Sequence, residues 1–128
     1  MSGASNYTEE LILNITLNGM AYTPPPQVFL ALFTTDPTDA GVGNEVTGGG
    51  YARQQIGFDA PNNGATSNSA DILFPIATTD WGTITHFGIY DASTGGNLLY
   101  HGPLTASKTI PAGGQFKLPR GYLTVTVS

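Results

Sequence analysis

Trp81-Gly82-Thr83-Ile84-Thr85-His86-Phe87-Gly88-Ile89-Tyr90-Asp91-Ala92, followed after Ser93-Thr94 by Gly95-Gly96-Asn97-Leu98-Leu99-Tyr100-His101-Gly102, decides how this chain is read. Apolar Ile84, Phe87, Ile89, Leu98 and Tyr100 are set among polar or small residues, and a Gly-Gly pair separates the two runs. The pattern predicts a packed hairpin. The same stretch holds both histidines, His86 and His101, and Asp91, with Asp80 just before it. These are the only material for acid–base or metal chemistry. No H-x-x-x-H or similar local spacing supports zinc, and no G-x-S-x-G places a serine on a strained, exposed turn. The histidines are therefore expected to be strand or rim residues hydrogen-bonded to backbone.

Working outward, the segments on either side repeat this grammar. Strands are predicted at 28–34, 51–58, 70–76, 83–90, 97–101, 114–118 and 122–127, with a short edge near Lys108-Thr109-Ile110. Turn chemistry separates them: Asp36-Pro37-Thr38-Asp39-Ala40-Gly41, Thr47-Gly48-Gly49-Gly50, Pro61-Asn62-Asn63-Gly64, Gly95-Gly96, Pro111-Ala112-Gly113-Gly114 and Pro119-Arg120-Gly121. In the last strand Leu123, Val125 and Val127 share one face while Tyr122, Thr124 and Thr126 share the other. Seven or eight short strands without βαβ alternation predict a mainly β fold, an antiparallel sandwich of jelly-roll or Ig-like type.

Residues 5–19 are the exception. Ser5 or Asn6 can cap a helix, Glu9 and Glu10 sit near its positive end, and Gly19 can close it. Leu11, Leu13, Ile15 and Leu17 also alternate at near strand period, but the capping signals favour a helix. Pro24-Pro25-Pro26 then fixes an extended connector. The organisation expected is an N-terminal helix and proline-rich arm over 1–26 and a β-sandwich over 27–128.

Composition limits function. A chain of 128 residues is long enough for one cored domain without a metal or disulfide staple, and it has no cysteine, which excludes thiol catalysis and thiolate metal sites. Only 10% of residues are charged, against about a quarter in typical domains, so the surface is built from Thr, Asn, Ser and Gly. That suits extended protein–protein contact. The net charge is −5 and the cations are Arg53, Lys108, Lys117 and Arg120, too few and too scattered for nucleic acid or an anionic membrane. No run is long enough to span a membrane, and no basic-then-apolar leader is present. The sequons Asn6-Tyr7-Thr8 and Asn14-Ile15-Thr16 are read as chance matches.

Three further constellations have ordinary readings. Asp36-Pro37-Thr38-Asp39 and Asp59-Ala60-Pro61-Asn62-Asn63 gather oxygens suited to calcium, but without EF-hand spacing they read as Asx-turns. The Thr47–Gly50 run lacks the lysine and helix of a phosphate loop, and Arg53 beyond it is expected to pair with a loop carboxylate. Trp81, Tyr51, Tyr90, Tyr100 and Tyr122 could stack on sugars, though rings at this frequency are normal core residues. No catalytic, cofactor-binding or metal-binding residue is assigned, and no cofactor is expected.

Leu30-Ala31-Leu32-Phe33-Thr34-Thr35-Asp36-Pro37-Thr38-Asp39-Ala40-Gly41, Glu45-Val46-Thr47-Gly48-Gly49-Gly50-Tyr51-Ala52-Arg53-Gln54 and the Trp81–Gly102 stretch together resemble small tailed-bacteriophage virion proteins, commonly labelled tail-fibre proteins. The resemblance implies a non-enzymatic virion component, with no catalytic residues to carry over. Capsid decoration and a tail or fibre-base position both fit one compact domain without shaft repeats. The expected partners are other virion proteins, the major capsid protein or tail and fibre proteins, together with further copies of the chain, a trimer being one candidate. Assembly in the host bacterial cytoplasm precedes residence in the virion. The alternative is a carbohydrate-binding host-adhesion module that holds host-surface glycans.

Overall fold

A computed structural model describes residues 3–127. Ten elements follow in chain order: β1 (Gly3–Ala4), α1 (Asn6–Leu17), β2 (Val28–Phe33), β3 (Gln54–Ile56), β4 (Ala65–Ser67), β5 (Ile72–Leu73), β6 (Gly82–Tyr90), β7 (Leu98–Ile110), β8 (Lys117–Leu118) and β9 (Thr124–Thr126). The fold is mainly β, with antiparallel sheets and one short N-terminal helix. A five-stranded sheet runs β1-β7-β6-β2-β3, and β4-β9 and β5-β8 form two small sheets.

Strand period decides the layers. In β2, Leu30 and Leu32 enter one core with Ile84, Phe87 and Ile89 of β6. Ile72, Leu118 and Val125 of the small sheets close that core from the other side, with Phe74 and Phe116 in its interior. Alternate residues Ala31 and Phe33 face the opposite way and pack with Tyr90 and Leu98. Ile84, Phe87 and Ile89 do not share a strict period of two. The pairing of β6 with β7 shifts between Ile84 and His86, where Thr85 faces the extra residues 104–107 of β7, so the inward parity changes there. Gly88 lies under the second cluster: a Cβ there would sit 2.9 Å from Phe33 Cε1 and 3.0 Å from Leu98 Cδ1. No side chain fits.

The hairpin read from Trp81 to Gly102 is β6 and β7, turning through Gly95 and Gly96 at φ of 60° and 74°. Three details of the strand inventory differ from expectation. The edge near Lys108 is not separate: β7 runs on to Ile110 and pairs Lys108 with Ile84. Two strands arise where no periodicity marked them. β1 pairs Gly3 and Ala4 with His101 and Tyr100, and β4 pairs Ala65–Ser67 with Thr126–Thr124. Both are two or three residues long: β1 adds to the open edge of the much longer β7, and β4 pairs along its whole length with the equally short β9.

Helix α1 begins where the capping signals put it. Ser5 Oγ accepts from Thr8 N, and Glu9 lies in the first turn. Ser5 is buried because it also stitches the helix to the sheet: its N–H donates to the Leu99 carbonyl at 3.0 Å and its hydroxyl to that of Leu98. Thr8 is the only buried residue of α1 itself. Its aliphatic side chains are left half-buried or, at Leu13 and Leu17, exposed.

Candidate functional site

The two histidines are brought together, but with different carboxylates from those beside them in sequence. His86 on β6 and His101 on β7 flank the loop after β2. His101 Nε2 lies 2.6 Å from Asp39 Oδ1, while His101 Nδ1 and His86 Nε2 each stand 4.0 Å from Asp36. The Thr85 hydroxyl and His86 Nδ1 are 2.8 Å apart. The expectation of backbone partners is thus corrected: both rings bond side chains. Asp80 and Asp91 are elsewhere, accepting from Ala112 N at 2.8 Å and Asn97 N at 2.7 Å to close turns.

This cluster is built as a fastening. Asp39 takes His101 on its carboxylate and Asn6 N on its backbone carbonyl at 2.9 Å, so one residue ties the loop, β7 and the start of α1. Asp36 accepts from Thr38 N at 2.8 Å, the Asx-turn expected of that segment. His86 stands 4.0 Å from Asp36, too far for a hydrogen bond, and the close His101–Asp39 contact ties the loop to β7. Among the described residues no group of three or more His, Cys, Asp or Glu is arranged to hold a metal.

The strongest polar constellation is centred on Arg53, eight residues after Glu45. Its guanidinium donates twice to the Glu45 carboxylate, Nε to Oε2 and Nη2 to Oε1, both at 2.9 Å. Nη1 reaches the Ala92 and Gly95 carbonyls at 3.0 and 2.8 Å, and the guanidinium carbon stands 3.8 Å from the centre of the Tyr90 ring. The expected loop carboxylate is Glu45. Burial alone would lower the Arg53 pKa, and the Glu45 hydrogen bonds and charge outweigh it and hold the cation above its usual range. With these partners in place the guanidinium is committed to the hairpin turn.

Glu45 also accepts from the Tyr51 hydroxyl at 2.6 Å, and that hydroxyl receives Leu32 N at 3.0 Å. Burial, then the hydrogen bond to Glu45, push the Tyr51 pKa far above its ordinary 10.0. The sign follows. Above pH 10 the unfolded chain releases a tyrosine proton that the folded chain keeps, so stability falls as pH rises past that point. Tyr90 and Tyr100, raised chiefly by burial, act in the same direction. Tyr51→Phe is expected to lose about 1–2 kcal/mol at neutral pH and to flatten the decline above pH 10, as read by urea midpoints across pH. An unchanged alkaline slope would show that Tyr51 ionises freely.

The candidate sugar-stacking rings do not form a platform. Tyr51 meets Phe74 and Trp81 at centroid distances of 6.0 and 5.5 Å within the core, and the Trp81 indole donates to the Gly49 carbonyl. Tyr90 stacks on Phe33, and Tyr100 is half-buried. Of the five, only Tyr122 is exposed, at 71%. Sequence reasoning missed what is open instead: Leu13, Leu17, Met20 and Tyr22 along and after α1. The signal was available in Leu11, Leu13, Ile15 and Leu17, which carry too much apolar surface for a helix with one buried residue.

A family described as podophage GP4 fiber I protein gp80 matches residues 3–126. The chain belongs to the Gp80 family. No curated protein matches it. Gp80 membership covers every element described above, and it makes the chain a structural component of a phage particle that works with other virion proteins. It agrees with the tail-fibre resemblance carried by the 30–41, 45–54 and 81–102 stretches. No helix among the described residues is long and apolar enough to cross a membrane.

Proposed function

We propose that the chain is a non-enzymatic subunit of the fibre apparatus, present in many copies at the tail or fibre base and held there by protein–protein contacts. The match to the podophage fibre family over residues 3–126 carries this reading. The exposed aliphatic surface of α1 supports it, as does the use of every candidate catalytic side chain in turns, fastenings or core. The N-terminal segment, residues 1–26, supplies the docking surface and the 27–128 region the body that projects from it. Its position in the sheet matters here: β1 and Ser5 are bonded to β7, so α1 is presented on a fixed base.

The test is electron microscopy of particles carrying a labelled chain. Label at the tail vertex or along the fibre is expected; label spread across the head would replace this reading with capsid decoration. Leu13→Ser with Leu17→Ser is expected to reduce incorporation at least tenfold while changing stability by only about 0.5 kcal/mol per site, because both side chains are exposed. Clear sugar binding by the full chain on a glycan array would favour host adhesion instead.

A further inference from the structure

We propose that the neighbour contacted by α1 is another copy of this chain, engaged head to tail, with the acidic α1 end of one copy seated on the Lys108–Lys117 end of the next. This rests on the reading of the chain as a many-copy fibre subunit.

The distribution of charge carries it. Of the four cations, Arg53 is bound to Glu45 and Arg120 approaches Asp59 at 3.4 Å. Lys108 and Lys117 stand together without a carboxylate partner among the described residues. Lys108 Nζ donates to the Lys117 carbonyl at 3.1 Å and lies 4.9 Å from the centre of the Phe116 ring. Exposed aliphatic surface adjoins them. Leu73 is the direct cross-strand partner of Lys117, so the two side chains share one face, and Ile76 is exposed three residues on.

The other end is the converse. Glu9 and Glu10 are exposed in the first turns of α1, Asp36 and Asp39 lie just beyond, and α1 has no basic residue in its last turn. Here the exposed aliphatics are Leu13 and Leu17. The two ends are separated along β7. His101, beside Asp39, and Lys108 pair with Gly88 and Ile84, which are four residues apart on β6, about 13 Å at roughly 3.3 Å per residue. Each end therefore offers apolar surface beside a like-charged pair, Glu9 and Glu10 at one and Lys108 and Lys117 at the other, and the pairs are opposite in sign; Asp71 and Asp80 near the lysines accept from Arg120 N and Ala112 N to close turns.

A two-fold contact of the α1 ends would set Glu9 and Glu10 against their own copies, and one of the lysine ends would repel likewise. A head-to-tail contact pairs unlike charges and buries Leu17 against Leu73 or Ile76. Such a contact is heterologous: it closes into a ring or extends as a filament.

Sedimentation of the full chain tests this. Self-association is expected at low salt and should weaken at least tenfold near 1 M salt, where the Debye length is about 3 Å. Glu9→Lys with Glu10→Lys, and separately Lys108→Glu with Lys117→Glu, should each weaken it at least tenfold. Mixing the two variants, or combining all four changes in one chain, should restore it, which also shows that the altered chains fold. Leu17→Ser, at a position 74% exposed, should weaken association with an unchanged melt. A chain that is monomeric at low salt overturns the proposal, as does loss with the glutamate pair alone or failure of the mixture to recover. A monomer still labelled at the tail vertex would sink stacking and leave the fibre reading intact; an oligomer absent from particles would do the reverse.

Discussion

Phe74→Ala is expected to remove about 3–5 kcal/mol of stability, enough to leave a domain of ordinary stability, about 5–15 kcal/mol, marginal or unfolded. Phe74 is 1% exposed and touches three other rings. It stacks on Tyr51 at 6.0 Å and meets Trp81 and Phe116 edge-on at 6.3 and 5.5 Å. Those rings come from the segment before β3, the start of β6 and the approach to β8, so the void would open where three parts of the chain converge. The walls cannot close over it. Trp81 is held by its indole bond to Gly49, and Tyr51 by bonds to Glu45 and Leu32. The adjacent Leu73→Ser is the control: at 56% exposure it should change stability by no more than about 0.5 kcal/mol. Urea unfolding followed through Trp81 fluorescence reads both. Equal midpoints for the two variants would mean that the aromatic cluster is not the centre of the core.

How much of this was legible follows from where the relevant partners lie in the chain. Helix α1 could be read because its cap, Ser5, and its first-turn acid, Glu9, are local signals. Strands β2 and β6 could be read because they are long enough to show period, even with a register shift inside β6. β4 could not be found from period, since Ala65-Thr66-Ser67 contains no apolar alternation. Its one cue was Asn63-Gly64, both at positive φ, which folds the chain back so that Asn62 and Ala65 exchange hydrogen bonds. Asn68 was silent. Fully buried, it donates to the Ala70 and Pro119 carbonyls and accepts from Leu123 N, joining segments about fifty residues apart.

The candidate site divides in the same way. The pairing of Arg53 was foreseeable because Glu45 lies eight residues upstream across a glycine turn. The partner of His101 was not, because Asp39 is 62 residues away and meets it only after β2 and β6 have paired. Asp91, the nearer carboxylate, is taken up by the hairpin turn. Proximity in sequence therefore does not identify the acid that His101 meets.

Glu45→Ala is expected to cost about 3 kcal/mol, at the lower end of the 3–5 kcal/mol for breaking a buried ion pair because Glu45 retains some solvent access. The loss exceeds that of a surface bridge, about 0–1 kcal/mol, because the Arg53 side chain is only 8% exposed. Without the carboxylate, two guanidinium N–H groups and the Tyr51 hydroxyl lose their acceptor together. Arg53→Lys should not rescue the site, since one ammonium cannot make the paired Glu45 bonds and also reach the Ala92 and Gly95 carbonyls. Replacing both partners, as in Glu45→Gln with Arg53→Met, should cost less than the sum of the single changes by at least about 1 kcal/mol. The same cycle reads the hairpin: amide exchange across residues 91–97 should quicken in either single variant, because Arg53 is what holds that turn against β3. Single variants within about 0.5 kcal/mol of the parent, with exchange unchanged, would make the pair a surface contact and leave Asp91 and Asn97 as the fixing elements of the turn.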